Sequence, residues 1–193
     1  MRTLTLDTNC ILAVDEKRPE GAFVLQLAEL HKREVVSVAL VAISASERQK
    51  PLRSITNFNQ FVDRVKQLGL DSLDIIDPMF YWDVSFWDRG IWADEAMVAC
   101  ERQIHEILFP SVEFLWVDYC TARGLDVNAA HPDDKWRNAK CDVQAFWSHA
   151  HRRRDVFVSS DRNFHAVSKK PKLIALAGGA IETPETALKQ VAS

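Results

Sequence analysis

No apolar run in this sequence reaches the ~18 residues that a bilayer-spanning helix needs, so a membrane-embedded chain is not expected. Met1 to Leu6 lacks the plan of a signal peptide, which makes export unexpected and a cytoplasmic location the natural reading. Cysteine is scarce. Cys10, Cys100, Cys120 and Cys141 include no C-x-x-C pair, so neither a disulfide framework nor a thiolate metal site is indicated. They read as buried thiols in a reducing compartment. An excess of positive charge is also missing: the formal net charge is −3. That argues against a protein that grips nucleic acid through bulk electrostatics, and confines any phosphate contact to local basic groups. There is no internal repeat, low-complexity tract or convincing linker. What remains is an ordinary globular composition, 47% hydrophobic and 26% charged over 193 residues, enough for a single domain, 1–193, with a real core.

The first fifty residues alternate between two periodicities. Leu4 and Leu6 interleave with Thr3 and Thr5, predicting a strand over 2–6 that stops at the turn and cap formers Asp7-Thr8-Asn9. Phe23, Leu27 and Leu30 form one stripe of a helix over 21–32. Val35 to Leu40 is a β-branched strand, and Ser44 to Glu47 opens a helical stretch ahead of Pro51. Strand, helix, strand, helix implies a parallel sheet. Residues 55–135 spell a mainly helical, Trp-rich insertion. Phe58, Phe61, Val62 and Val65 suggest one helix, 93–108 a second and 112–123 a third, with a loop over 124–132. The aromatic run 80–92 reads as core or subunit interface in preference to a base-stacking platform. Val143, Phe146, Trp147 and Ala150 define a helix over 142–152. Val156 to Ser159 is a short buried strand followed by a polar turn at 160–164, and Leu173 to Leu176 is expected to be a last strand. Thr183 and Pro184 cap and open a terminal helix. The expected architecture is α/β: a three-layer α/β/α domain with a central parallel sheet and a helical insertion at about 55–135.

Open parallel sheets bind ligands beyond the carboxyl ends of their strands. Four acids are expected there. Asp7 directly follows the first strand, Glu47 lies in the helical stretch after the second, Asp142 starts the helix that feeds the strand 156–159, and Asp161 follows that strand. Carboxylates brought together repel, and a hard divalent ion removes the conflict. Mg²⁺ or Mn²⁺ held this way activates water and neutralises charge on a phosphodiester. Each residue also has a plainer reading: Asp142 as a helix-start acid favoured by the dipole, Asp161 as a turn former, Glu47 as a helix-surface residue. Asp7 is the least ordinary, because a carboxylate beside Leu4 and Leu6 is costly to bury. Asn9 either stabilises the turn or orients Asp7 or a metal-bound water.

Thr5-Leu6-Asp7-Thr8-Asn9 followed by Ile11-Leu12 resembles the opening of PIN-domain nucleases. Asp142 and Val156-Phe157-Val158-Ser159-Ser160-Asp161, with the two acids nineteen residues apart, resemble that family's third and fourth acidic positions. Asn163-Phe164 fits the same pattern, as does Ile181-Glu182-Thr183-Pro184-Glu185 at the last strand and terminal helix. The resemblance covers roughly residues 1–50 and 138–189. It implies a Mg²⁺- or Mn²⁺-dependent endoribonuclease acting on an RNA substrate. Metal binding would fall to Asp7, Asp142 and Asp161, the second acid would be Glu47, and Asn9 and Ser160 would support them. It leaves open the toxin role of a toxin–antitoxin pair, with an antitoxin protein as partner, and a homodimer. The middle is longer and richer in Trp than in small toxin-type members. A catalytically degenerate scaffold that binds RNA or protein is the competing reading. A phosphatase or phospho-receiver with Asp7 as nucleophile is disfavoured, because position 9 is Asn where a second carboxylate is wanted.

Lys135, Arg137 and Lys140 precede Asp142 and are the expected RNA contacts, with Trp136 among them as a base-stacking candidate or an ordinary packed residue. His151-Arg152-Arg153-Arg154 is better read as a solvated helix end. His149 and His151, two apart on a helix, share no face for a zinc pair. His131 and His165 are taken as spectators.

Overall fold

The computed structural model describes residues 1–46, 57–82, 84–86, 89–128 and 131–192. Five parallel strands form one sheet: β1 Arg2–Leu6, β2 Val36–Val41, β3 Asp74–Ile76, β4 Val156–Val158 and β5 Ala180–Glu182. Their order is β3-β2-β1-β4-β5. The helices are α1 Thr8–Asp15, α2 Pro19–Lys32, α3 Phe58–Gln67, α4 Glu95–Leu108, α5 Trp116–Arg123, α6 Asp134–His151, α7 Arg162–His165, α8 Lys170–Ala177 and α9 Pro184–Ala192, with a 3-10 turn at Ala42–Ala45 after β2. The architecture is three-layer α/β/α. Among the described residues, no helix is long and apolar enough to cross a membrane.

Strand alternation divides the core in two. Leu4, Leu6, Val38, Leu40, Val156 and Val158 face α2, α3 and α9, meeting Leu27, Phe61 and Ala187. Ala39, Val41, Phe157 and Ile181 face α4, α6 and α8, meeting Ile104, Phe146 and Leu173. Thr5 has the second parity, and its hydroxyl meets Nδ1 of His149 on α6 at 3.1 Å. That histidine is buried, and burial pushes it down to about 4, so it packs as a neutral ring.

Several elements depart from the periodicity-based expectation. α2 begins at Pro19, two residues before the expected start, because Pro suits the first helical position. The helix expected at 142–152 begins at Asp134, capped by Asp133, whose side chain accepts from the Trp136 amide at 2.8 Å. Asp142 is therefore mid-helix and not in a first turn. The segment 173–176 is helical and not a strand. Lys170-Pro171 opens α8, and the chain then turns through Gly178 and Gly179 at φ 73 and 72. A side chain at Gly179 would collide with the Asp155 carbonyl, at 2.4 Å from a Cβ, so only glycine lets β5 start here. The region 55–135 is more than a helical addition, since it supplies the edge strand β3. Within the aromatic run, Tyr81 and Ile91 pack on the core, whereas Trp82 and Trp92 are 66% and 73% exposed. Trp87 lies outside the described residues.

The N-terminal half of α6 is unexpectedly apolar in its surroundings. Lys140 and Trp136 are each 1% exposed, and Arg137 is buried too. The Lys140 ammonium bonds Glu101 of α4 at 2.8 Å beneath the rings of Tyr81 and Phe114. Burial lowers its proton affinity and Glu101 restores part of it. Gln144 joins the pair, donating to Glu101 at 2.8 Å and accepting from the Met79 amide at 3.0 Å. Lys140, Arg137 and Trp136 thus lie inside the protein and do not present themselves to RNA. Of the expected basic trio only Lys135 is exposed.

Candidate functional site

The strand order reverses beside β1, so the crevice between the carboxyl ends of β1 and β4 is the switch point at which such sheets take ligands. Asp7 is the first residue beyond β1. Its amide donates to the Val158 carbonyl at 2.9 Å, continuing the β1–β4 ladder by one rung. Its φ and ψ of −72 and 160 keep the extended parity, which aims the side chain toward the α6 layer. The carboxylate caps α1: Oδ1 accepts from the Thr8 amide at 2.8 Å, and Oδ2 accepts from Asn9 Nδ2 at 3.1 Å and Ser159 Oγ at 2.6 Å. Thr8 in turn donates to Ser44 Oγ at 2.9 Å, tying α1 to the turn after β2.

The register Leu6↔Val158 puts Ser159 opposite Asp7. Ser159 Oγ serves both acids, donating to Asp7 and accepting from the Asp161 amide at 3.0 Å. Asp161 caps the turn after β4, its Oδ1 accepting from the Asn163 amide at 2.8 Å. Nε2 of His165 meets the Ser159 carbonyl at 2.7 Å, so this residue anchors the turn. Asn163 Oδ1 accepts from Lys169 Nζ at 2.5 Å. Of the serine pair, Ser160 is expected to support the acids, and Ser159 is the one whose hydroxyl bonds Asp7. The Ser160 hydroxyl is enclosed and makes no hydrogen bond among the described residues, while Ser159 carries the contacts. The signal was available in strand parity: Phe157 and Ser159 share the face of Thr5 and Asp7.

Asp7 is 1% exposed. Burial raises its proton affinity, and the charge of Asp161 raises it further. The bonds from Ser159, Asn9 and Thr8 act in the opposite sense without cancelling the rise. The site therefore contains a carboxylate that is desolvated, faces a second one, and is pre-oriented by donors. Hard oxygen donors of this kind suit Mg²⁺ or Mn²⁺.

Asp7 and Asp161 are thus brought together, with Asn9 beside them as expected. Asp142 reaches the same end of the sheet by a different geometry. It lies seven residues before His149 on one face of α6, ~10 Å along the axis. His149 is level with Thr5, and Asp7 is ~7 Å beyond Thr5 along β1. α6 also packs on the Ala42–Ala45 turn that follows β2. Glu47 lies outside the described residues. Among the described residues, no group of three His, Cys, Asp or Glu side chains is arranged to hold a metal ion. The expected metal set Asp7, Asp142 and Asp161 is therefore not drawn together as one cluster. Asp142 belongs to the helical layer and the other two to the sheet edge.

Ser159→Ala removes a charge-assisted bond of the kind worth ~1.5–3 kcal/mol. Asp7 would then hold its proton to higher pH, so any activity that needs the ionised carboxylate should fall more at pH 6 than at pH 8. A pH–rate profile superimposable on that of the wild type would remove Ser159 from the site. Compared with known proteins, the chain matches no family model, no curated protein and no solved structure.

Proposed function

We propose that this chain is a metal-dependent endoribonuclease of the PIN type. The observation that carries the reading is the buried Asp7 carboxylate at the sheet's switch point, held by Ser159 and Asn9 and facing the charge of Asp161. Burying such a group is costly, and a desolvated carboxylate facing a second charge is the kind of perturbed group that marks functional sites. Asp7 and Asp161 would hold Mg²⁺ or Mn²⁺, with Asp142 approaching from α6 and Glu47 as a further acid. Bound there, such an ion would supply Lewis-acid activation of water and charge neutralisation at the phosphodiester. The protein's part is to orient the carboxylates, which Ser159, Asn9 and the α1 cap do. Action as a toxin, paired with an antitoxin, is a finer reading carried by the sequence resemblance.

The direct test adds Mn²⁺ to metal-free protein. At one hundred times its Kd, an ion that binds only the folded state adds ~2.7 kcal/mol of stability, about 5–10 °C in Tm for a chain of this size. Cleavage of single-stranded RNA should appear over the same Mn²⁺ range. The lack of a three-acid group among the described residues favours one alternative, a scaffold that binds RNA or protein without cutting. That alternative gains if millimolar Mn²⁺ leaves Tm unmoved and no RNA in a random pool is cleaved.

A further inference from the structure

A cavity of ≈ 590 Å³ lies at the amino edge of the sheet, the end opposite Asp7. Its place follows from its lining. Asp155 and Gly179 directly precede β4 and β5, His151 ends α6, and Ala96 lies in the first turn of α4. Asp155 bonds Thr3, and Asp7 stands four residues beyond Thr3 along β1, ~13 Å away. The volume is ordinary for a small-molecule site. Met97, Cys100, Leu176 and Ala177 supply apolar surface. The rings of His151 and Trp147 stack, with centroids 4.6 Å apart and planes 14° apart. Trp147 is buried and covers one face of His151, so the exposure of that histidine falls on its edge and its other face. Two arginines line the same space. The Arg153 side chain is exposed and makes no hydrogen bond or ion pair among the described residues. Arg154 is tied to the sheet, its Nη2 donating to the Leu4 and Ser37 carbonyls at 2.8 and 2.9 Å. Its Nε is enclosed and has no partner among the described residues. The acids of the lining are already engaged. Asp155 accepts from the Thr3 amide and hydroxyl at 2.8 and 2.7 Å, and Asp94 caps α4 by accepting from the Met97 amide at 2.8 Å.

We infer that this cavity binds a small anion that carries a planar ring, the chemistry of a nucleoside monophosphate, with the ring on His151 and the phosphate on Arg153. It is independent of the nuclease reading, because no lining residue belongs to the carboxylate site. An aromatic face accepts a base without reading its hydrogen-bonding edge, so the stack gives affinity with little base preference. His151 is already held against Trp147, and little rotamer freedom is lost when a ring settles on it. A guanidinium fork matches the geometry of phosphate oxygens, and Arg153 has its donors to spare. Asp94 and Asp155 limit the ligand from the other side. Their charges remain beside the cavity and disfavour a long polyanion there, which leaves a compact ligand of low charge as the match.

The test is a calorimetric titration of the full chain in metal-free buffer, with uridine 5′-monophosphate, uridine and inorganic phosphate as probes. The monophosphate should bind, and each of the other two, which make only part of the contacts, should bind about tenfold more weakly. Arg153→Gly should weaken the monophosphate about tenfold, the loss of one charge-assisted bond, and leave uridine unchanged. Arg153 sits at φ 49, a conformation that suits glycine, so this variant keeps the fold. His151→Ala should weaken the monophosphate and uridine alike and leave inorganic phosphate unchanged. Asp7→Asn should bind all three as the wild type does. A monophosphate affinity that neither cavity variant changes, or that Asp7→Asn abolishes, overturns the inference by placing the ligand elsewhere. Inorganic phosphate that binds as tightly as the monophosphate overturns it too, as does a wild type that takes up no monophosphate at millimolar concentration. RNA cleavage, present or absent, enters none of these outcomes, so the cavity and the nuclease reading stand or fall separately.

Discussion

Replacing Asp7 by asparagine is expected to lower metal-dependent RNA cleavage by about three orders of magnitude while leaving the protein folded. Loss of a metal-bearing carboxylate forfeits several kcal/mol of charge stabilisation in the reaction, at ~1.4 kcal/mol per factor of ten. The fold should not suffer, because the substitution keeps the shape and removes a buried charge. The pH dependence gives a second readout. Asp7 in the folded protein holds its proton more tightly than in the unfolded chain. In metal-free protein its contribution is therefore fully present below the ordinary carboxylate range and is lost as pH rises through the folded value. Between mildly acidic and neutral pH the wild type should lose stability that D7N does not lose, and Mn²⁺ should restore it in the wild type alone. Comparable cleavage by D7N and wild type would end the proposed mechanism. A D7N protein that is unfolded at neutral pH would show that the carboxylate is structural.

The second large effect is on stability. Lys140→Met leaves the Glu101 carboxylate buried with Gln144 as its remaining donor among the hydrogen bonds described above, at side-chain exposures of 1% for Lys140 and 2% for Glu101. Breaking one side of such a pair costs about 3–5 kcal/mol, to be read as a lower urea midpoint. Removing both charges, as Lys140→Met with Glu101→Leu, should recover most of the loss, because desolvation of the pair offsets much of its attraction. The same variants separate the two roles suggested for Lys140. Oligouridylate affinity should be unchanged in the folded double variant. A fall in affinity would mean that this lysine reaches the substrate after all.

The sequence alone determined the local parts of the site. Asp7-Thr8-Asn9 after an alternating strand places a capping carboxylate at a strand end, because period-two burial and helix capping act over a few residues. The same locality made Ser160 look as suitable as Ser159, and only the pairing of Leu6 with Val158 chose between them. Thr183-Pro184 opens α9 as expected, with Thr183 Oγ1 accepting from the Thr186 amide at 3.3 Å. Tertiary structure decided the rest. Lys140, Arg137 and Trp136 have the composition of a basic surface loop, yet all three are buried, and Glu101 of α4 closes over Lys140. That closure depends on residues some forty positions away in the chain. Leu173 to Leu176 has the hydrophobicity of either a short strand or a helix, and the Pro171 start with the Gly178-Gly179 turn settled it as α8. The place of Asp142 depends on how far α6 extends beyond the sheet. Periodicity records which face of a helix is apolar, and only packing against the sheet determines where along its axis the site falls.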